Sequence, residues 1–239
     1  GVKVPHFKMR LLTINNAKID KSKQFGWMTF GLHLAPHKLS GYNVCGFASK
    51  GCIKACLNTS GRGRMNMVQD ARIKKTIMFK EGKANFLQFL QKDIYSAKRM
   101  ADKEGLQPCF RLNLTSDISW ERYGIIENNP DIQFYDYTKN HVRAMKFANK
   151  ELPDNYHLTF SRSENHKISF IQSMVNLGVN VAVVFNKDLQ ENRRGGWEDM
   201  LTINGDQHDL RFLDKPNRIV ALKAKGDAIK DESGFTVNI

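Results

Sequence analysis

Four short β-rich segments recur at one interval, and that spacing constrains the fold more than any other feature of the chain. QPCFRLNL (107–114), IQFYDY (132–137), YHLTFS (156–161) and VNVAVVF (179–185) carry the β-branched and aromatic residues that suit strands. Their centres, Phe110, Phe134, Leu158 and Ala182, are each 24 residues apart. The intervening segments have helical spacing: Val142, Met145 and Phe147 or Ala148 within 141–151, then Ile168, Ile171 and Val175 ahead of Gly178, a helix stop. Strand, helix, strand at a constant interval predicts right-handed βαβ units and a parallel sheet. GWMTFGLHL (26–34) and IVALKA (219–224) bring the strands to at least six. The expected fold class is α/β, a parallel βα-repeat barrel or partial barrel, because such short crossovers suit a barrel better than a flat doubly wound sheet. Two further helices are predicted at 65–80 and 84–104, broken at Gly82 and stopped at Gly105.

The 239 residues are 41% hydrophobic, enough for one large core. We expect a single domain over 1–239, with 1–24 a basic N-terminal arm or edge hairpin and 26–239 the barrel-like body. No apolar run approaches the roughly 18–20 residues of a membrane span, and no basic–apolar leader is seen, so the expected location is the cytoplasm. Lys and Arg number 37 against 24 Asp and Glu, a net charge of +13. A chain this basic points to a polyanion, with nucleic acid or a nucleotide the default partner and a merely basic surface the alternative.

Ligands of parallel α/β proteins bind at the carboxyl ends of the strands. The strand at 107–114 runs into Asn113, Thr115, Ser116, Asp117, Trp120 and Glu121. The next two end in Asp136, Thr138 and Lys139, and in Ser161, Arg162, Ser163 and Glu164. Lys223 and Lys225 close the last strand. A shared rim makes these candidate substrate contacts. Asp117 and Glu121 beside Trp120 are candidate acid–base groups, since an aromatic neighbour raises a carboxyl pKa. Trp120 would stack on a base, or else sit in the core beneath a helix cap. NGDQHDLRF (204–212) opens on a hairpin signal and adds Asp206, His208, Asp209 and Arg211, with Asp209 placed to orient His208 or pair with Arg211.

Cysteine usage is uneven. Cys45, Cys52 and Cys56 lie within twelve residues, with six residues and then three between them, while Cys109 is alone. A helical turn over Cys52–Cys56 would set two sulfurs on one face, and Gly46 and Gly51 would let Cys45 fold back to join them. Three thiolates around one point call for a cation. Zinc would need a fourth ligand, such as His37 or another His. An iron–sulfur cluster on three thiolates would keep one iron open. Cys109 starts its strand and belongs at the opposite rim. Downstream, eight Lys or Arg and one acid lie between Cys45 and Lys80, and Arg62 and Arg64 of SGRGR are placed to grip a phosphate at a helix start.

The stretch SGYNVCGFASKGCIKACLNTSGRGR with ARIKKT, and the later LTSDISWE, FSRSE and INGDQHDLRF…ALKAKG, resemble a phage family designated gene product eighty-eight. The resemblance spans most of the chain and implies a phage source and work in the host cytoplasm, with no assigned activity. A three-thiolate cluster in the loop after a barrel's first strand also resembles the radical S-adenosylmethionine enzymes, whose cysteines are spaced by three and then two residues rather than six and three. The leading expectation is a metalloenzyme acting on nucleic acid or a nucleotide, with an iron–sulfur cluster, with or without S-adenosylmethionine, or zinc. A second is a base-exchange enzyme similar in fold to tRNA-guanine transglycosylases, using Asp117 with Asp206 or Asp209 and a structural zinc. A third is a non-catalytic nucleic-acid-binding or host-inhibiting protein.

Overall fold

A computed structural model describes residues 10–14, 21–59, 61–189 and 197–239. The rest of the expected N-terminal arm lies outside them. The described strands are β1 (Leu12–Thr13), β2 (Trp27–Leu32), β3 (Gln107–Arg111), β4 (Gln133–Thr138), β5 (Tyr156–Ser161), β6 (Val181–Phe185), β7 (Thr202–Asn204), β8 (Ile219–Lys223) and β9 (Thr236–Val237). The helices are α1 (Lys50–Lys54), α2 (Asn66–Glu81), α3 (Lys83–Lys103), α4 (His141–Ala148) and α5 (Ile168–Asn176). The strands of the 24-residue repeat are the ones the alternation predicts; α4 and α5 fill the last two crossovers between them, and the first, from β3 to β4, holds only a 3-10 turn at Trp120–Tyr123.

The strands form a nine-stranded sheet in the order β1-β2-β3-β4-β5-β6-β8-β7. Every pairing is parallel except that of β1 with β2. The sheet is open among the described residues: β1 and β7 are its two ends, and closure into a full barrel is not observed. β8 pairs with β6 along all of Val181–Phe185. β5 and β9 therefore share the other edge of β6, β5 at Val181 and Ala182, β9 at Val184 and Phe185.

Alternation along the strands separates two faces. Phe30, Phe110, Phe134 and Leu158 pack with Phe79 of α2 and Phe86, Leu90 and Ile94 of α3. Phe160, Val181, Val183 and Phe185 pack with Ile171, Met174 and Val175 of α5. Each such side chain stabilises the fold by about 1.5–3 kcal/mol relative to exposure. On the opposite face Cys109 and Tyr135 meet Leu210, with Trp27 and Phe212 against them. The segment after β7 thus lies across the sheet face that the helices leave free. No helix among the described residues is long and apolar enough to cross a membrane.

The Asn204–Gly205 pair is not a hairpin turn. β7 runs parallel to β8, so residues 205–218 form a crossover. Gly205 is required by packing: a Cβ there would stand 2.6 Å from a Val220 methyl, 2.7 Å from a Leu222 methyl and 2.9 Å from the Ala221 carbonyl.

Candidate functional site

The carboxyl ends of β3, β4, β5, β6 and β8 surround a cavity of about 250 Å³, and Cys45, Cys52 and Cys56 all line it. The loop carrying them is held from two sides. On the β2–β3 side, Thr115 Oγ1 donates to the Leu34 carbonyl at 2.6 Å, and the Asp117 amide donates to the Val44 carbonyl at 2.9 Å. The His37 amide donates to Cys45 Sγ at 3.3 Å. On the β5 side, Glu164 accepts from Ser49 Oγ at 2.6 Å and from the Gly51 amide at 2.8 Å. Ser49 caps α1 by accepting from the Cys52 amide at 3.1 Å. Burial opposes the Glu164 charge, but these hydrogen bonds outweigh it and hold the carboxyl below the usual range. Gly51 leaves no room for a side chain, since a Cβ would lie 2.3 Å from Ser233 Oγ and 2.8 Å from Phe235 Cβ.

The three cysteines are unbridged. Burial pushes Cys45 up to about 12 and also raises Cys52 and Cys56, and Cys52 and Cys56 each raise Cys45 further. The Lys139 ammonium hydrogen-bonds Cys52 and pulls the other way. No three His, Cys, Asp or Glu side chains among the described residues are drawn together tightly enough to hold a metal ion. The donor set is nevertheless that of a soft metal: three sulfurs on one wall, each within electrostatic reach of another. Cys109 lies elsewhere, buried on β3 with its sulfur 3.3 Å from Thr29 Oγ1.

Behind the rim runs a buried polar network that takes up several of the candidate residues. Arg143, on α4 and 4% exposed, grips Glu121 with two hydrogen bonds of 2.8 Å and reaches Asp117 at 3.0 Å. Asp117 also accepts from Thr138 Oγ1 at 2.9 Å and from the Lys139 amide at 2.8 Å. A carboxylate so engaged is a poor nucleophile, although Asp117 does border the cavity. Asp136 accepts from the Asn113 amide at 2.7 Å and from Tyr156 Oη at 2.8 Å, and burial raises it to about 7. Asn113 Oδ1 in turn accepts from Ser116 Oγ, the Ile118 amide and Trp120 Nε1. Trp120 is fully buried against Phe79 and Phe86, so it belongs to the core and is not placed to stack on a base.

Of the other candidates, Asn113, Ser116, Ser161, Asp206, Lys223 and Lys225 border the cavity. Asp206 is tied to Lys225 at 2.6 Å and to the Lys223 amide at 2.7 Å. Glu164 acts through the loop it clamps. Arg162 donates to the Gly234 and Phe235 carbonyls. Arg62 is exposed and Arg64 pairs with Asp227 at 2.9 Å, both away from the cavity lining. Asp206 is not gathered with His208 and Asp209 into one acid–base group: Asp209 binds Arg111 at 2.8 Å and Tyr135 Oη at 3.3 Å, while the ring of His208 meets Phe25 edge-on. Arg211 is buried, bonded to the His208 carbonyl and paired with Asp214 at 3.2 Å.

The structure adds Arg111, Tyr137 and Phe235 to the lining. Arg111 and Tyr137 alternate with the core residues Phe110 and Phe134, and that parity was the available signal. Arg111 also lies over the Tyr137 ring, its guanidinium carbon 4.6 Å from the centroid. His33, beyond the end of β2, stands 3.4 Å from Thr115 Oγ1; burial first, then Arg72, Arg111 and Lys75, lower it to about 3.

Fold and site together define a mostly parallel α/β protein with a thiol-lined cavity at the carboxyl rim of its sheet. The chain belongs to the Gene product 88 family, whose model matches residues 9–239. No curated protein and no solved structure matches it.

Proposed function

We propose that this protein is a metalloenzyme acting on a nucleotide or nucleic acid, with a centre held by Cys45, Cys52 and Cys56. One observation carries the reading: three cysteines from one short loop border a single cavity at the strand ends, where parallel α/β folds place their ligands. Among the described residues no fourth ligand joins the three sulfurs, which suits an iron–sulfur cluster with one open iron better than a closed structural zinc site. Held by Cys45, Cys52 and Cys56, such a cluster would supply one iron free to bind a substrate or cofactor.

The chain's own residues prepare that centre. Glu164 and Ser49 fix α1 and with it Cys52. The His37 amide and the Asp117–Val44 hydrogen bond orient Cys45. α1 has only five residues and Cys56 follows its end, so this segment is short enough to draw the thiols together as an ion binds. The net charge of +13 favours an anionic substrate.

Elemental analysis after anaerobic purification tests the reading. Iron with acid-labile sulfide in a brown protein is the expected result. A colourless protein with stoichiometric zinc replaces the cluster by zinc, and a protein that takes up neither metal overturns the proposal.

A further inference from the structure

The cavity is unbalanced in charge. Arg111, Lys139, Lys223 and Lys225 line it against two carboxylates, Asp117 and Asp206. Both carboxylates are engaged, Asp117 by Arg143 and Asp206 by Lys225. Arg111 is held by Asp209, on the segment that crosses the same face of the sheet. Lys139 has no carboxylate partner among the described residues. Its ammonium lies 2.7 Å from Ser161 Oγ and 5.1 Å from the Phe235 ring centroid. Among the described residues Lys223 pairs only with Asp188 at 3.8 Å, and both are half exposed, so that pairing is weak. The other polar neighbour of Lys139 is the Cys52 sulfur, to which it hydrogen-bonds, and a partly buried ammonium with no carboxylate beside it favours a bound anion. The rest of the lining combines polar side chains, Asn113, Ser116 and Thr138 among them, with an apolar patch of Phe235, Leu222, Val184 and Ala55.

We propose that the cavity binds a phosphate monoester of nucleotide size, its phosphate seated on Lys139 with Lys223 assisting and its base against Phe235 and Leu222. This deepens the nucleotide reading above and names a free mononucleotide as the ligand. Size supports the choice: about 250 Å³ falls below the roughly 300–1,000 Å³ of common ligand pockets and admits one small molecule, not a length of polymer. Charge supports it as well, because the ammonium and the apolar wall match the two halves of a nucleoside monophosphate.

Calorimetric titration of the full chain tests the proposal with nucleoside monophosphates, the matching nucleosides, inorganic phosphate and a 5′-phosphorylated oligonucleotide. The monophosphate should bind one to one and at least tenfold more tightly than its nucleoside. Lys139→Met should remove that advantage and Lys139→Arg should keep most of it. Lys223→Met, at a half-exposed position that does not threaten folding, should weaken the monophosphate severalfold. Equal binding of nucleoside and monophosphate, or binding of the oligonucleotide alone, overturns the proposal. So does an unchanged affinity in Lys139→Met and Lys223→Met. The same titration on metal-free Cys45→Ala separates the two readings. A retained phosphate preference in a wild-type protein that takes up no metal removes only the metal centre. A lost preference in a metal-loaded protein removes only the phosphate site.

Discussion

Glu164, just past the end of β5, accepts a hydrogen bond of 2.6 Å from Ser49, the residue that caps α1. Its other oxygen takes the Gly51 amide at 2.8 Å. One carboxylate therefore fixes the start of the helix that carries Cys52. Glu164→Gln keeps the shape but loses the charge that strengthens both bonds. We expect faster hydrogen exchange at the Gly51 and Cys52 amides and a loss of about 1–2 kcal/mol of stability. Unchanged exchange at those amides would show that the clamp does not hold α1.

Arg143 is the centre of the network behind the rim. Arg143→Met would leave Asp117 and Glu121 buried without their cation, and should cost about 3–5 kcal/mol in urea unfolding. Arg143→Lys should recover little, because an ammonium cannot reproduce the paired contact with Glu121. A near-neutral Arg143→Met would mean that the two carboxylates find water instead.

Stability should respond to pH on two limbs. Burial raises Asp136 to about 7 in the folded protein, against roughly 3.9 in an unfolded chain. The folded state therefore holds the extra proton between these values. The stability this group adds is full below the unfolded pKa and is lost as pH rises through about 7. His33 and His157 act in the opposite sense. Burial lowers them to about 3 and about 4, so their contribution is full above roughly 6.5 and is lost as pH falls through the folded values. Urea midpoints measured across this range should fall on both sides of a maximum. Asp136→Asn should remove the fall above roughly 6.5 and steepen the rise below it, because the Asp136 window overlaps that of the two histidines.

The four cysteines should divide by role. Cys45→Ala, Cys52→Ala and Cys56→Ala should each lower metal content and visible absorption with modest effects on folding. Cys109→Ala should leave metal content intact and cost about 1–2 kcal/mol, as a cavity-forming change on the opposite face of the core. Metal loss in the Cys109 variant, with the other three silent, would reverse the assignment.

Much of the sheet was legible because parallel strands and short crossovers write a period into the chain. Phe110, Phe134 and Leu158 occupy equivalent inward places on successive strands, and the spacing of Ile168, Ile171 and Val175 marks α5. The convergence of the three-cysteine loop on the strand ends followed from the rule that loops at one end share a rim. What the chain did not disclose depends on contacts distant in sequence. Arg143 looks like any basic residue on the outside of a helix, and its burial follows from Asp117 and Glu121 reaching it from another loop. Gly205 signals a turn by its neighbour Asn204, but its need arises from the close passage of β8. The pairing of β9 with β6 rests on a two-residue strand, too short for any pattern to show.

That last strand has a consequence for the cavity. β9 fills the edge of β6 that β5 vacates, and Phe235 just before it forms part of the cavity wall. Without residues 235–237 the cavity would lack the side that Phe235 supplies. Displacing β9 from β6 would be expected to open the cavity before it disturbs the rest of the sheet.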